Sequence, residues 1–366
     1  MIDRRLLTSF DWKIFFLIIA IAALGIVNIY SASASYRLSG TSYPLKQLYW
    51  LLIGLFLVLV TCSIDYHIFE DLAYWFYGFL IVLLLLVLVM GKTSMGATRW
   101  LNLGFFSMQP SEPMKIIIAI TFACYFTRNP PAALLSLGDI IKPLVILFIP
   151  AILIARQPDL GTAVMVCLVA GTITLAVGVG WRTLLAIVLT AIPTIYIVWN
   201  YILRIYQKNR VLNFLDPERD PLRSGYHLIQ SKIAVGSGGL AGKGFMQGTQ
   251  SQLSFLPEQH TDFVFSVFSE EWGFLGSVIV LFLYFALILW GMNVAGRCND
   301  RFGTFLAVGV TAMLFWHIII NIGMVIGLFP VVGVPLPLFS YGGTSMITSM
   351  VGVGILFNID MRRFMF

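Results

Sequence analysis

The sequence predicts an all-α, polytopic membrane protein with ten transmembrane helices and one long extracytoplasmic loop. Three observations carry this. Hydrophobic residues make up 59% of the 366 residues and charged residues only 11%, against about 25% charged in a soluble domain. Mean hydropathy is +0.90. Residues 302–359, 58 in all, contain no Asp, Glu, Lys or Arg. The apolar residues come in long unbroken blocks rather than alternating, which excludes a barrel and leaves helices that satisfy their own backbone in lipid. A soluble enzyme, a disordered chain and a secreted disulfide module are excluded by the same numbers.

The first span is read at 14–34. Arg4, Arg5 and Lys13 precede it, and Ser31-Ala32-Ser33-Ala34-Ser35 has the small residues of a cleavage site. The uncharged stretch runs from Ile14 to Tyr36, however, longer than the roughly 7–15 apolar residues of a cleavable signal. It is read as a retained span. Further spans are expected at 47–64, 72–91, 160–181, 183–203 and 272–296, each long enough to cross a bilayer. Two weaker ones, 113–127 with Lys115 and 139–155 with Asp139 and Lys142, complete the topology. Within 302–359, Phe329-Pro330 and Pro335-Leu336-Pro337 divide spans near 303–328 and 340–359 by a re-entrant turn. All 366 residues thus form one membrane domain.

Charge sets the orientation. With a cytoplasmic amino terminus, inner segments hold ten cations and short outer loops five (Arg37, Lys46, Lys92, Arg99, Arg156). This asymmetry places both termini in the cytoplasm. The net charge of +6 is topological, and no basic stripe with interleaved aromatics suggests nucleic acid. The long loop, about 204–261, joins spans seven and eight on the outer face. Its Tyr226, Leu228, Ile229, Ile233, Phe245, Leu253, Phe255 and Leu256 predict docking onto the membrane domain. Cys62, Cys124, Cys167 and Cys298 are far apart and read as inert thiols. His67, His227, His260 and His317 form no zinc pattern.

Charges at or inside spans are costly and mark candidate chemistry. Glu112 and Lys115, in QPSEPMK, lie three apart on one helical face. They are either a self-neutralising pair or the lining of a cavity. Arg156 and Asp159, in ARQPDLGT, either cap the next helix with a local partner or enter a site. The Gly-rich run 236–244 with Lys243 is not a P-loop. It is either a hinge or a phosphate-binding turn. In LPEQHTDFVFS, Asp262 either caps the eighth span or aims a carboxylate into a cavity as a general base. Glu270 follows eight residues later, roughly on the same helical face.

At these residues the sequence resembles the SEDS (shape, elongation, division and sporulation) family of cell-wall polymerases. The matching stretches are RWLNLG (99–104), QPSEPMK (109–115), ARQPDLGT (155–162), GYHLIQSKIAVGSGGLAGKGF (225–245), GTQSQLSFLPEQHTDFVFS (248–266), EEWGFLG (270–276) and NIGMVIGLFPVVGVPLPLFSYGGTS (321–345), in family order. The GTQSQL run is similar to the elongation member rather than the division member. The first 95 residues match only as a hydropathy pattern.

The resemblance implies a peptidoglycan glycosyltransferase that polymerises lipid II on the outer face of the bacterial inner membrane. It implies Asp262 as the catalytic carboxylate and candidate metal ligand, with Glu112 and Lys115 lining the same cavity. Arg156, Asp159, Lys243, His260, Glu270 and Ser340 are the further cavity candidates. It implies a divalent cation, Mg²⁺, and a class B penicillin-binding protein as partner. Lipid II and undecaprenyl pyrophosphate are the expected membrane-lipid substrate and product. An α-linked pyrophosphate donor giving a β-1,4 bond requires one inverting displacement: a base for the acceptor hydroxyl and a cation for the leaving group, from Mg²⁺, Lys115, Lys243 or Arg156. Two rivals stand beside this reading, a lipid II flippase built on the intramembrane charges and a non-catalytic scaffold for the partner.

Overall fold

The computed structural model describes residues 10–34, 42–94, 97–102, 107–203, 205–216, 224–253, 255–256 and 258–363. Arg4, Arg5, Ser35, Arg37, Leu103 and Gly104, used in the sequence reading, lie outside the described residues. Nine of the described helices are long and apolar enough to cross a membrane, and a tenth, Ser111–Arg128, carries too many charges to pass by composition. The ten expected spans are thus present as long helices.

α1 (Trp12–Ala32) starts where Asp11 accepts from the amides of Lys13 and Ile14, offsetting the unpaired donors of a helix start. α2 (Tyr43–Ser63) has a proline in its first turn, where no amide is needed. A single turn, α3 (His67–Asp71), leads into α4 (Ala73–Met90). The chain then forms a small antiparallel sheet, β1 (Lys92–Ser94), β2 (Ala97–Asn102) and β3 (Ser107–Met108), in the order β1-β2-β3. The all-α reading did not include it. Strands this short, within one outer loop, leave no readable alternation.

α5 (Ser111–Arg128) is mostly buried, with Lys115 among its interior residues. α6 (Leu137–Arg156) opens with a capping box between Ser136 and Asp139. α7 (Leu160–Val177) and α8 (Trp181–Ile197) follow, α8 running into a π-turn at Val198–Ile202. Of α8 only Thr183 is buried. The long loop is helical: α9 (Ile205–Leu215), α10 (Ser224–Ser237) and α11 (Thr249–Gln252). It docks only in part, since Ile233, Phe245, Leu253 and Phe255 stay exposed. Leu228, Ala234 and Leu256 are buried, and the Ser231 hydroxyl donates to the Val325 carbonyl at 2.7 Å.

α12 (Val264–Arg297) departs from expectation: it begins eight residues before the predicted 272. It is broken at Gly273, with φ 67° and ψ −162°. Glu270 and Glu271 hid the first segment from a hydropathy reading. α13 (Arg301–Ile326) is capped by Asp300 and ends at Gly327 in the left-handed conformation. Residues 327–342 cross back without regular helix, as the prolines predicted, and α14 (Gly343–Arg362) closes the fold. α5, α13 and α14 form the interior. Large apolar side chains on α2 (Leu52, Phe56), α4 (Phe79, Val82), α6 (Val145, Ile152) and α12 (Phe282, Phe285) stay exposed. A belt that extensive has no place in water. The chain is a multi-pass membrane protein.

Candidate active site

Five segments that are distant in sequence meet at one end of the helical core: the β2–α5 region, the α6–α7 turn, α9, the turn before α12, and the 327–342 crossing. The turn is built on Glu258, whose φ of 48° is left-handed. Its carbonyl accepts from the amides of Thr261 (3.1 Å) and Phe263 (3.4 Å). Helix α12 takes Phe263 as N-cap and has no side-chain cap. Asp262 therefore does not cap the helix it precedes. Nor does it share a helical face with Glu270, since the helix begins only at Val264.

The Asp262 backbone is fixed. Asn321 on α13 donates from Nδ2 to the carbonyls of Asp262 (3.1 Å) and Val334 (2.7 Å). Ser340 Oγ donates to the Thr261 carbonyl at 2.7 Å and accepts from the Leu336 amide at 2.9 Å. The Tyr341 amide donates to the His260 carbonyl at 3.0 Å. The Asp262 carboxylate, by contrast, accepts no hydrogen bond among the described residues. Gly333, at φ +71°, leaves it room: a Cβ there would lie 3.1 Å from Oδ2. Burial, and then the like charge of Glu258, push its carboxyl up to about 6, with Arg210 and Arg99 pulling the other way.

Around this carboxylate stand three groups. Asp159 caps α7 through the Thr162 amide (3.3 Å) and also accepts from Gln109 Nε2 (2.8 Å) and Thr162 Oγ1 (2.9 Å). Its cation is Arg99, at 3.9 Å, whose guanidinium also donates to the Pro158 carbonyl. Arg156, the partner expected from sequence, is exposed at the end of α6. Beside the α6–α7 turn lies a cavity of about 50 Å³, walled by Pro158, Leu160, Val211, Pro330 and Val332, with Gln207 and Arg210 from α9. On the other side His260 packs against Tyr43, ring centroids 4.4 Å apart, and Tyr341 lies 5.7 Å away. Burial holds the His260 imidazole below its usual range.

Deeper in the core, Glu112 Oε1 and Lys115 Nζ are 2.8 Å apart, with only 1% of the Lys115 side chain exposed. Lys115 also meets His317 Nε2 at 2.7 Å. Lys243 and Glu270 stand apart from these groups. Glu270 Oε1 accepts from Lys243 Nζ (2.7 Å), Thr249 Oγ1 (3.1 Å) and the Gln250 amide (3.2 Å). The amides of Lys243 and Gly244 donate to the carbonyls of Glu270 and Glu271, each at 3.0 Å. A Cβ on Gly242 would sit 2.1 Å from the Glu271 carbonyl. The Gly-rich run is a clasp across the break in α12, and these amides are not available to a phosphate.

The sequence reading did not single out Arg210, Asn321 or His317. Arg210 and His317 lie outside the matched stretches and Asn321 opens one without being charged; their role comes from chain segments up to 202 residues apart, as between Lys115 and His317. It had also passed over Arg99, except as a loop charge and part of RWLNLG.

Known proteins resemble this chain in sequence and in fold. The E. coli K12 peptidoglycan glycosyltransferase MrdB is 43% identical over 339 residues, covering 92% of this chain and 90% of its own. The Treponema pallidum peptidoglycan glycosyltransferase RodA is 32% identical and covers 98% and 99%. Among solved structures, one from a study of the structural coordination of polymerization and crosslinking by a peptidoglycan synthase complex superposes with a TM-score of 0.82 at 33% identity. It covers 97% of this chain and 98% of its own. The Thermus thermophilus rod shape determining protein RodA superposes at 0.71 with 30% identity and the same coverage. The FtsW/RodA/SpoVE cell cycle protein pattern matches residues 11–364. With nearly the whole length matched in both sequence and fold, the chain belongs to the FtsW/RodA/SpoVE family.

Proposed function

We propose that the protein is a peptidoglycan glycosyltransferase that polymerises lipid II into β-1,4 glycan strands, with Asp262 as general base. One observation carries the assignment of the base: a carboxylate pushed up to about 6, held by its backbone and not used as a helix cap. That value suits a base working near neutral pH. The acceptor's GlcNAc 4-hydroxyl gives its proton to Asp262. Its oxygen forms the new bond to the donor's MurNAc anomeric carbon from the opposite face. The bond from that carbon to the diphosphate breaks, and the diphosphate leaves with the electron pair. Arg99 and Arg210, which already act on Asp262 electrostatically, offset the charge of the leaving group. No covalent nucleophile is needed.

The donor set fits a divalent cation. Among the described residues no three His, Cys, Asp or Glu side chains form a cage. Mg²⁺, however, takes one or two carboxylates and completes its shell with water and phosphate oxygens. Glu258, close enough to act on the Asp262 carboxyl electrostatically, would hold it with water and phosphate oxygens, leaving Asp262 free as the base. Bound there, it would neutralise diphosphate charge.

The site end of the fold is assigned to the extracytoplasmic face of the bacterial inner membrane, with both termini cytoplasmic, from the distribution of Lys and Arg in the sequence. A class B penicillin-binding protein is the proposed partner, supported by the related chain solved in a study of a peptidoglycan synthase complex. The test is reconstitution of the full chain with that partner, Mg²⁺ and labelled lipid II. Glycan strands are the expected product. Movement of lipid II across the bilayer without chain extension would establish a flippase instead.

A further inference from the structure

We propose that His317 and Asn321, one turn apart on α13, are positioning residues that hold Lys115 and Asp262 in register with each other. The inference rests on the glycosyltransferase reading above. His317 Nδ1 lies 2.7 Å from the Met313 carbonyl, so Nδ1 carries the hydrogen and donates. Nε2 is then a lone pair, and it accepts from the Lys115 ammonium at 2.7 Å. Only this tautomer of the neutral ring satisfies both contacts. With Glu112 Oε1 at 2.8 Å, two partners fix an ammonium that is otherwise sealed from water.

Asn321 does the equivalent for the carboxylate. Its side-chain amide has two N–H groups and serves two carbonyls, Asp262 at 3.1 Å and Val334 at 2.7 Å. It thereby joins the turn before α12 to the crossing segment that carries Gly333, the residue beside Asp262 Oδ2. Asn321 is fully buried and His317 is 4% exposed. Residues four apart share a helix face. A single face of an interior helix thus grips two charged motifs 147 residues apart in the sequence. A misplacement of about 1 Å at a reacting group costs on the order of a hundredfold in rate. Fixing the spacing of the two motifs to that tolerance is work that neither motif's own loop can do.

The experiment uses the reconstituted full chain with its partner and lipid II, comparing wild type with Asn321→Asp and Asn321→Ser, and with His317→Gln. Rates are taken per folded protein, by size exclusion, at one pH near neutral. Asn321→Asp keeps the shape but turns the donors into acceptors facing two carbonyls; Asn321→Ser retains a hydroxyl if the first variant does not fold. The expected result is a fall in kcat of about tenfold to a hundredfold, with KM for lipid II within about twofold. A residue with a merely structural role lowers the yield of folded protein and leaves kcat per folded molecule unchanged. Wild-type kcat per folded protein in either the Asn321 or the His317 variants overturns the proposal while wild-type polymer keeps the glycosyltransferase reading. No polymer from wild type removes both.

Discussion

The raised Asp262 carboxyl gives a quantitative prediction about pH. A general base works only when ionised. At a value of about 6, about 90% of the carboxyl is ionised at pH 7 and about 10% at pH 5. The polymerisation rate should therefore fall about tenfold between these values, where a carboxyl at 3.8 would lose almost nothing. The sign of each neighbour follows. Glu258 raises the group, so Glu258→Gln, assayed at saturating Mg²⁺, should shift the acidic limb to lower pH. Arg210 lowers it, so Arg210→Ala should shift the limb to higher pH and slow the enzyme at pH 7. An exchange of one close charge moves a carboxyl on the order of one unit. Glycan synthesis from lipid II, buffered in steps at constant ionic strength, measures all three profiles. A wild-type limb near 4, or two variants that move the limb in the same direction, would refute the reasoning.

Three further outcomes are expected. Gly333→Ala places a methyl 3.1 Å from Asp262 Oδ2 at a φ of +71°, so activity should drop at least about tenfold, measured as polymer per folded protein. Lys243→Met leaves the fully buried Glu270 carboxylate without its cation and should destabilise the fold by about 3 kcal/mol; thermal melting in detergent should show a loss that Lys243→Met/Glu270→Gln largely recovers. Chelation of divalent cations should stop polymerisation and added Mg²⁺ restore it, while undiminished synthesis in chelator would remove the metal from the account.

The sequence carried the membrane architecture because lipid imposes a one-dimensional rule: about twenty apolar residues make a span. The first span was legible on that basis, whereas the two weak spans at 113–127 and 139–155 were placed by the topology and the re-entrant turn by its prolines. Features set by contacts across the fold were not. The extension of α12 back to Val264 was hidden because the partners of Glu270 and Glu271, among them Lys243, Thr249 and Ser31, come from other segments. Arg99 replaced Arg156 as the Asp159 partner because a loop sheet brings it across 60 positions of sequence. Asp262 and Glu112–Lys115 were visible, since a charge at a span boundary is conspicuous in itself. Asn321 and His317, polar residues within an uncharged run, gave no such signal. The clasp made by Gly242 and its neighbours read as a hinge or a phosphate turn because glycine content alone does not say which backbone will approach.

The most direct test of the central claim is Asp262→Asn, which keeps the side chain's size and removes its basicity. Glycan strand synthesis from lipid II should be compared between wild type and variant, both reconstituted with the class B partner and Mg²⁺ and both shown to be folded. Loss of a general base predicts a rate at least about 10²-fold lower, with the complex intact. A variant that polymerises at close to the wild-type rate would contradict the account and place the base elsewhere.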